Sequence, residues 1–251
     1  MADQPPTPDP VHRVGRERDE RRRVERLNEA QSRASELFDI VEREGVIVAG
    51  ITEAEASRRI AAIAADRFGV VNHWHKRIVR SGPNTLATYR ADPPDRVIEA
   101  DDIVFGDFGP IFDGWEADFG RTWVIGDDPV KLRLRDDLEA IFDLGVAFAN
   151  TRADVTGAEL YGYVVGEALR RGWTFGNFHC GHLVGEFPHD DLESSHPHAH
   201  LAASNDAPLR CLDPAGLAAH WILEIHLVDE ALEIGGFFEQ LLPLEQTTLY
   251  P

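Results

Sequence analysis

The chain has 251 residues, 43% of them hydrophobic, which is enough for one large domain or two small ones with a genuine core. Its formal net charge of −19 argues against a general nucleic-acid or anionic-membrane surface. Two cysteines are too few for a disulfide framework, and no apolar run of about 20 residues predicts a membrane span. The N-terminus is polar and proline-rich without the apolar core of a signal peptide, so we expect a cytoplasmic protein.

Two helices are predicted in the N-terminal part of the chain. Apolar residues recur at helical spacing over residues 27–41, which predicts a long helix with one apolar stripe. That stripe needs a covering surface, and a homodimer would supply one. Thr52 followed by Glu55 is a capping-box pattern, so a second helix should begin there and end near Phe68.

The rest of the chain alternates predicted strands and helices. We expect strands at 76–81, 102–109, 115–126, 221–228 and 234–242, helices at 128–150 and 157–171, and histidine-rich loops with short strands at 176–200. This order predicts an α+β fold in which helices cover one face of an antiparallel sheet. Residues 1–20 are expected to form a disordered polar tail, and residues 21–251 a single domain with an N-terminal helical extension.

Each of the two predicted hairpins carries a pair of acidic residues. If the first turn centres on Phe112 and Asp113, then Asp107 and Asp118 become direct cross-strand neighbours. Like charges in that position destabilise a sheet, unless a bound cation removes the repulsion. A solvated strand face would be the simpler explanation for one such acid. Repetition of the arrangement in a second hairpin favours a metal site.

The second hairpin places Glu224 opposite Glu239, with Ala231 and Leu232 at its tip. Both glutamates are flanked by apolar residues, and an unpaired charge on a buried strand is costly. Four carboxylates from the two hairpins form a hard, oxygen-rich ligand set. Together with one imidazole, they are suited to two divalent ions, for which manganese, cobalt, iron and zinc are all candidates.

The imidazole of that set is expected from His182. Gly181 and Gly185 flank this residue, which would let backbone and metal approach each other closely. His189 follows seven residues later and could reach the same cavity, where it would donate a hydrogen bond to substrate.

These segments resemble the pita-bread metallopeptidases, a family that includes methionine aminopeptidases, aminopeptidase P, prolidases and the non-peptidase creatinases. The resemblance covers the chain from about residue 45 onward. It is carried by SGPNT at 81–85, two aspartates with ten residues between them, the second of which begins DFGRT, GHLVG with its second histidine, ILEIH and GGFFEQ. It implies a pita-bread fold, a curved antiparallel sheet with helices on its outer face, in a prolidase-like chain of one domain.

The resemblance also implies a role for each ligand. Asp107 would chelate one metal ion, His182 and Glu224 would bind the other, and Asp118 and Glu239 would bridge both. A hydroxide between the two ions would attack the scissile carbonyl.

Further roles follow from the same resemblance. Glu224 would shuttle the proton, and His189 would stabilise the tetrahedral intermediate while contacting substrate. Arg121 is expected to support the site by pairing with a ligand carboxylate, with a salt bridge at the hairpin edge as the alternative.

One departure from the family concerns substrate binding. The family usually has a histidine shortly after the SGPN segment, where this chain has Thr88 and Tyr89. We expect Tyr89 to donate a hydrogen bond to substrate in its place. His73 or His75, on the preceding segment, could also reach in, although a histidine beside Trp74 often only packs.

We therefore expect a dinuclear metal-dependent hydrolase, an aminopeptidase or Xaa-Pro dipeptidase acting on short peptides. One alternative is a creatinase-like hydrolase of C–N bonds in a small amide metabolite. Another is a catalytically inactive binding module of the same fold, although all five ligands are present. Nucleic-acid binding through the arginine-rich residues 13–26 is disfavoured, because acidic residues interrupt the run and the chain is acidic.

Overall fold

A computed structural model describes residues 19–189 and 198–245, so the predicted tail lies almost wholly outside the described residues. The helices are α1 (Glu20–Arg43), α2 (Glu53–Phe68), α3 (Pro129–Ala149) and α4 (Gly157–Arg170), with a 3-10 helix at Gly82–Leu86. The strands are β1 (Ile78–Ser81), β2 (Ile103–Phe108), β3 (Ile111–Phe112), β4 (Trp115–Glu116), β5 (Phe119–Val124), β6 (Thr174–Phe175), β7 (His179–Val184), β8 (His200–Ala202), β9 (His220–Asp229) and β10 (Ile234–Leu241).

The predicted start of the second helix is confirmed. The Thr52 side chain accepts a hydrogen bond from the Glu55 backbone N–H at 3.2 Å, which satisfies one of the unpaired donors of the first turn. The helix ends at Gly69, whose φ of 68° is a left-handed conformation that glycine adopts without steric cost.

The large sheet is antiparallel, in the strand order β1-β2-β5-β10-β9-β7-β8, with β6 paired to β9. Strands β3 and β4 form a small separate hairpin. Its turn is at Asp113 and Gly114, whose φ angles of 51° and 86° fit the primed turns that join twisted strands. The expected α+β architecture is confirmed.

Alternation along β10 separates the helical face of the sheet from the opposite face. Gly236 and Phe238 face α3: a Cβ on Gly236 would lie 2.6 Å from Leu134, and the Phe238 ring is 5.1 Å from that of Phe142. Glu239, the next residue, points to the other face, because successive side chains of a strand alternate.

Helix α1 lies on the same face as α3. The Phe38 ring stacks on Trp123 of β5 at 5.7 Å and lies 4.9 Å from Phe119. The Arg121 guanidinium lies over the rings of both Phe119, which contacts α1, and Phe238, which contacts α3, so it connects the parts of this face that pack against the two helices. The apolar stripe of α1 is thus covered by the chain's own sheet, and it no longer argues for a homodimer. Among the described residues, no helix is both long and apolar enough to cross a bilayer.

Candidate metal centre

Four residues lie in one row across four adjacent strands. Asp107 on β2 pairs with Gly120 on β5, Gly120 pairs with Glu239 on β10, and Glu239 pairs with Glu224 on β9. Gly120 leaves a gap in this row, since a Cβ there would lie 2.6 Å from the Phe237 ring and 3.1 Å from the Glu239 Cβ. The row therefore brings three carboxylates together around a position that has no side chain.

The register of the first hairpin differs from the prediction. Asp107 pairs with Gly120 and not with Asp118. The turn is centred one residue later than expected, and this moves the partner of each residue along the opposite strand by two positions. A shift of two residues keeps a side chain on the same face, so Asp118 still points to the row from just before β5. The predicted pairing of Glu224 with Glu239 is confirmed.

Two imidazoles meet at the carboxylate of Asp118, which is 2% exposed. His182 Nε2 lies 3.1 Å from Asp118 Oδ2, and His75 Nε2 lies 3.0 Å from Asp118 Oδ1. His182 Nε2 is also 3.8 Å from Glu239 Oε1, and His75 Nε2 is 3.5 Å from Asp107 Oδ1. Asp118 therefore stands between two groups of potential ligands.

The donor set fits divalent metal ions. Within the described residues, two buried carboxylate oxygens accept no hydrogen bond, Asp107 Oδ1 and Glu239 Oε2, and Glu224 Oε1 has only an ion-pair contact with His179. Buried charged oxygens are costly unless they are paired or coordinate a metal. Oxygen and nitrogen donors in this number are typical of dinuclear hydrolase sites.

The carboxylates repel each other and lie in a poorly hydrated site. Burial, together with the charges of Asp118 and Glu224, raises the pKa of Asp107 to about 7 despite the nearby His75. Burial and the two aspartates raise the pKa of Glu239 well above its ordinary value. Burial opposes ionisation of Asp118 as well, but His75 and His182 outweigh it and hold that pKa below its usual range. The site thus attracts cations or protons.

Glu224 has a histidine partner that the sequence did not predict. His179 Nδ1 lies 2.7 Å from Glu224 Oε1, and Asn177 donates a weak hydrogen bond to Oε2 at 3.5 Å. Burial would raise the pKa of Glu224, but the charge of His179 outweighs it and lowers that pKa. The only signal in the sequence was the position of His179 in the same strand as His182.

His189 also has an unpredicted partner. Glu116, which is buried, accepts hydrogen bonds from the His189 backbone N–H at 3.1 Å and from His189 Nδ1. The Trp74 ring lies edge-on to both His189 and His182, at 5.0 and 5.4 Å. A two-residue spacing puts Glu116 on the same side of the chain as Asp118, and this was the available sequence signal.

The residues expected near the substrate take different positions. His75 reaches the carboxylates, whereas His73 packs against Phe108 with the ring centroids 5.9 Å apart. Tyr89 is 48% exposed, and its ring lies 6.1 Å from that of His75. Burial and the charge of Asp107 raise the pKa of the Tyr89 phenol to about 12, so it remains a hydrogen-bond donor at neutral pH.

Arg121 does not pair with a ligand carboxylate among the described residues. Its guanidinium donates to the backbone carbonyl of Glu239 at 3.1 Å and to the Gln240 side chain, on the helical face of the sheet. The prediction failed because Arg121 follows Gly120, and neighbouring strand residues point to opposite faces. In the described part of the chain, Arg121 contacts the row of carboxylates only through the backbone of β10.

The two glycines around His182 do not have the expected common role. Gly181 has a φ of 149°, and a Cβ there would overlap the carbonyl oxygen of Ile222, so it permits close approach of β7 to β9. A Cβ on Gly185 would make only an ordinary contact with His189, at 3.9 Å. At neither position would the nearest neighbours of a Cβ include one of the ligand carboxylates.

Comparison with solved structures identifies the fold. Prolidases from Thermococcus sibiricus and Pyrococcus furiosus align with TM-scores of 0.68 and 0.69, at 21% and 18% identity, over 92% and 94% of this chain. Methionine aminopeptidase from Rickettsia prowazekii aligns with a TM-score of 0.64 at 14% identity, over 90% of this chain and 95% of its own. The chain spans 58% and 64% of the two prolidases. The predicted pita-bread fold is confirmed.

Sequence comparison agrees with the structural result. A search of curated proteins gave no match. The sequence model described as metallopeptidase family M24, however, matches residues 25–211, which is most of the chain. The chain therefore belongs to metallopeptidase family M24.

Proposed function

We propose that this protein is a dinuclear metal-dependent hydrolase that acts as an aminopeptidase or Xaa-Pro dipeptidase on short peptides. The observation that carries the proposal is the row of Asp107, Glu239 and Glu224 beside Asp118, with buried oxygens that accept no hydrogen bond from the described residues. Membership of the metallopeptidase family supports the hydrolytic class. An inactive binding module would have little use for such a costly set of charges.

Five residues would hold the two ions: Asp107, Asp118, His182, Glu224 and Glu239. Two divalent ions supply a water of lowered pKa and polarise the carbonyl that it attacks. Asp118 is suited to bridging, since its two oxygens face different groups of ligands. Glu239 is suited to it as well, because it lies between Gly120 and Glu224 in the row.

Glu224 would act as the proton shuttle, taking a proton from the attacking water and giving it to the leaving amine. Its pairing with His179 favours the ionised carboxylate, which is the form that accepts a proton. His189 would donate a hydrogen bond to the developing oxyanion. Because Glu116 engages Nδ1, that bond would come from Nε2.

The substrate part of the proposal rests on the similar structures and on Tyr89. Solved structures with a similar fold include the Xaa-Pro dipeptidase from Bacillus anthracis, at 22% identity. Tyr89 is exposed beside the ligands, and its neutral hydroxyl could donate a hydrogen bond to the bound peptide. A short peptide with proline after the scissile bond is therefore the first substrate class to test.

The experiment is a substrate panel with metal-stripped protein reloaded separately with manganese, cobalt, iron or zinc. The panel contains Xaa-Pro dipeptides, peptides with N-terminal methionine and other di- and tripeptides. We expect at least one metal to restore cleavage, and Asp118→Asn and Glu239→Gln to abolish it. If no peptide is cleaved with any metal although the ions bind, the peptidase assignment is wrong.

A creatinase-like hydrolase is the second candidate. The observation in its favour is Tyr89, which stands where related peptidases usually carry a histidine. Adding guanidino compounds and small amides to the same panel separates the two activities. Turnover of these compounds without peptide cleavage would favour the second candidate.

A further inference from the structure

We infer that His75 is a metal ligand and that it binds the ion on the Asp107 side of Asp118. The inference rests on the dinuclear site proposed above and adds a sixth ligand to it. It also replaces the expected substrate contact, because a ring bound to metal through Nε2 cannot also donate a hydrogen bond through that atom.

The main observation is that His75 and His182 are oriented in the same way. His75 Nδ1 lies 2.7 Å from the carbonyl oxygen of Lys76, and His182 Nδ1 lies 2.8 Å from the carbonyl oxygen of Leu183. A carbonyl oxygen can only accept, so both Nδ1 atoms carry a proton. In a neutral imidazole, Nε2 is then the atom with the lone pair, as in histidines that bind metal through Nε2.

The second observation is how the two rings share Asp118. His75 Nε2 faces Oδ1 at 3.0 Å, and His182 Nε2 faces Oδ2 at 3.1 Å. Each oxygen of the central carboxylate thus has one imidazole. If Asp118 bridges two ions and His182 binds one of them, the equivalent position beside the other ion is held by His75.

The third observation is the spacing of the donor atoms on the Asp107 side. Two ligand atoms about 2.1 Å from one ion, at angles of about 90–110°, lie roughly 3.0–3.5 Å apart. His75 Nε2 lies 3.0 Å from Asp118 Oδ1 and 3.5 Å from Asp107 Oδ1. The same Asp107 oxygen accepts no hydrogen bond within the described residues. His75 Nε2 is thus at ligand spacing from both carboxylates, and the three residues offer ligand atoms that all lie within 4.8 Å of one another.

The surrounding structure holds the His75 ring in place. A Cβ on Gly109 would lie 2.5 Å from His75 Nε2, so the ring occupies space that only glycine leaves open. Trp74 fixes the segment, because its backbone N–H donates to the Gly109 carbonyl at 2.9 Å and its indole N–H to the Ala117 carbonyl at 3.0 Å. The His75 side chain is only 5% exposed. The ring is therefore already held in the position in which it would bind an ion, and it does not have to move there from solvent.

A second imidazole changes the chemistry of the ion on the Asp107 side. Carboxylate-only sites suit manganese or magnesium, whereas imidazole ligands favour iron or zinc. Most sites bind zinc and iron more tightly than manganese, and we expect this preference on the Asp107 side to be smaller in His75→Ala than in wild type.

The test is proton NMR of the cobalt-loaded protein, in which each bound imidazole gives an exchangeable N–H signal with a large paramagnetic shift. The Nδ1 protons of both rings are hydrogen-bonded to carbonyls, which should slow their exchange with water. We expect His75→Ala to remove one such signal that wild type and His182→Ala both show. His73→Ala, in the same segment but packed on Phe108, should retain every signal.

Calorimetric metal titration gives a second readout. His75→Ala should lower the affinity for one of the two metal equivalents. The loss should exceed the roughly 10- to 100-fold that follows removal of a residue that only hydrogen-bonds to a ligand. Gly109→Ala keeps the imidazole but displaces it, so it should lower the affinity for the same metal equivalent. Thermal unfolding in chelator checks that each variant folds, and His75→Gln is the substitute if alanine does not.

The outcomes separate this inference from the proposed function. If two ions bind but His75→Ala keeps every shifted signal and both affinities, His75 is only an ion-pair partner of Asp118 and the inference is overturned. If wild-type protein binds no divalent ion, the dinuclear hydrolase proposal fails together with it. Loss of one shifted signal and weaker binding of one metal equivalent in His75→Ala, with His73→Ala unchanged, supports both the dinuclear site and this inference.

Discussion

Glu224 and Glu239 are direct cross-strand partners on β9 and β10, and both are buried. Two like charges in this relationship normally weaken a sheet. Here they lie on adjacent central strands, in the same row as Asp107, so protons or cations must offset the repulsion. The stability of the sheet is thereby linked to what the site binds.

Replacement of Glu239 by glutamine should separate metal binding from folding. The pKa of Glu239 is raised well above its ordinary value by burial and by Asp118 and Asp107, so its charge is unfavourable in the metal-free protein. Glu239→Gln should therefore leave metal-free stability at pH 8 unchanged or higher. Wild-type protein should gain about 2.7 kcal/mol at a metal concentration of 100 times Kd, and the variant should not.

Thermal and denaturant unfolding, with chelator and with metal, measure both quantities. Glu230→Gln, at the exposed tip of the same hairpin, is the matched control and should behave as wild type. A metal-dependent gain in Glu239→Gln equal to that of wild type would show that Glu239 is not a ligand.

The stability of the metal-free protein should fall as the pH rises from about 6.5 to 9. Burial and neighbouring carboxylates raise the pKa of Asp107 from 3.8 to about 7. The stability that protonation of Asp107 contributes is therefore present below pH 3.8, is lost as the pH rises through 7, and affects only the lower end of this range. Although burial opposes it, Asp118 and Asp107 raise the pKa of His75 from 6.5 to about 9. That contribution is present below 6.5 and lost as pH rises through 9.

Metal affinity should change in the opposite direction over the same range, because ions must displace the protons held at Asp107 and His75. Denaturant unfolding in chelator and metal titration at matched pH values measure the two trends. A metal-free stability that rises between pH 6.5 and 9 would contradict this account of the site.

The gap at Gly120 should be necessary for the site. A Cβ there would meet the Phe237 ring at 2.6 Å and the Glu239 Cβ at 3.1 Å, so Gly120→Ala forces the row apart. We expect a loss of about 1–3 kcal/mol in the free energy of unfolding and weaker metal binding. Calorimetric titration and urea unfolding test this.

Gly162→Ala is the matched control for that substitution. Gly162 is exposed in α4, and a Cβ there would meet nothing within 4 Å. Alanine should raise stability by roughly 0.5–1 kcal/mol, since glycine is a poor helix residue. Equal effects of the two substitutions would mean that space at Gly120 has no special role.

Glu116 should position His189 for catalysis. Removing an oxyanion donor costs about 100- to 1000-fold in kcat, and we expect His189→Ala to fall in that range once a substrate is known. Glu116→Gln retains one acceptor but cannot serve both His189 N–H groups, so kcat should fall by less, with KM little changed. Steady-state kinetics of both variants decide the point. A change in KM alone would assign Glu116 to substrate binding.

The local pattern of the sequence determined the elements and the ligand inventory. Period-two and period-3.6 spacing predicted the hairpins and helices, and flanking apolar residues marked Glu224 and Glu239 as buried acids. The second hairpin also predicted their pairing, because strand length and turn position constrain each other over a short loop. These features depend on neighbours in the chain, which is why the sequence alone contains them.

Only the tertiary structure decided which distant side chains meet. A one-residue difference in the turn at Asp113 changed the partner of Asp107, and neighbouring strand positions sent Arg121 to the helical face. The contacts of His75 with Asp118 and of Glu116 with His189 join segments 43 and 73 residues apart. Such contacts depend on strand order and on the packing of Trp74 above the sheet, and these arise from the whole chain rather than from any local pattern.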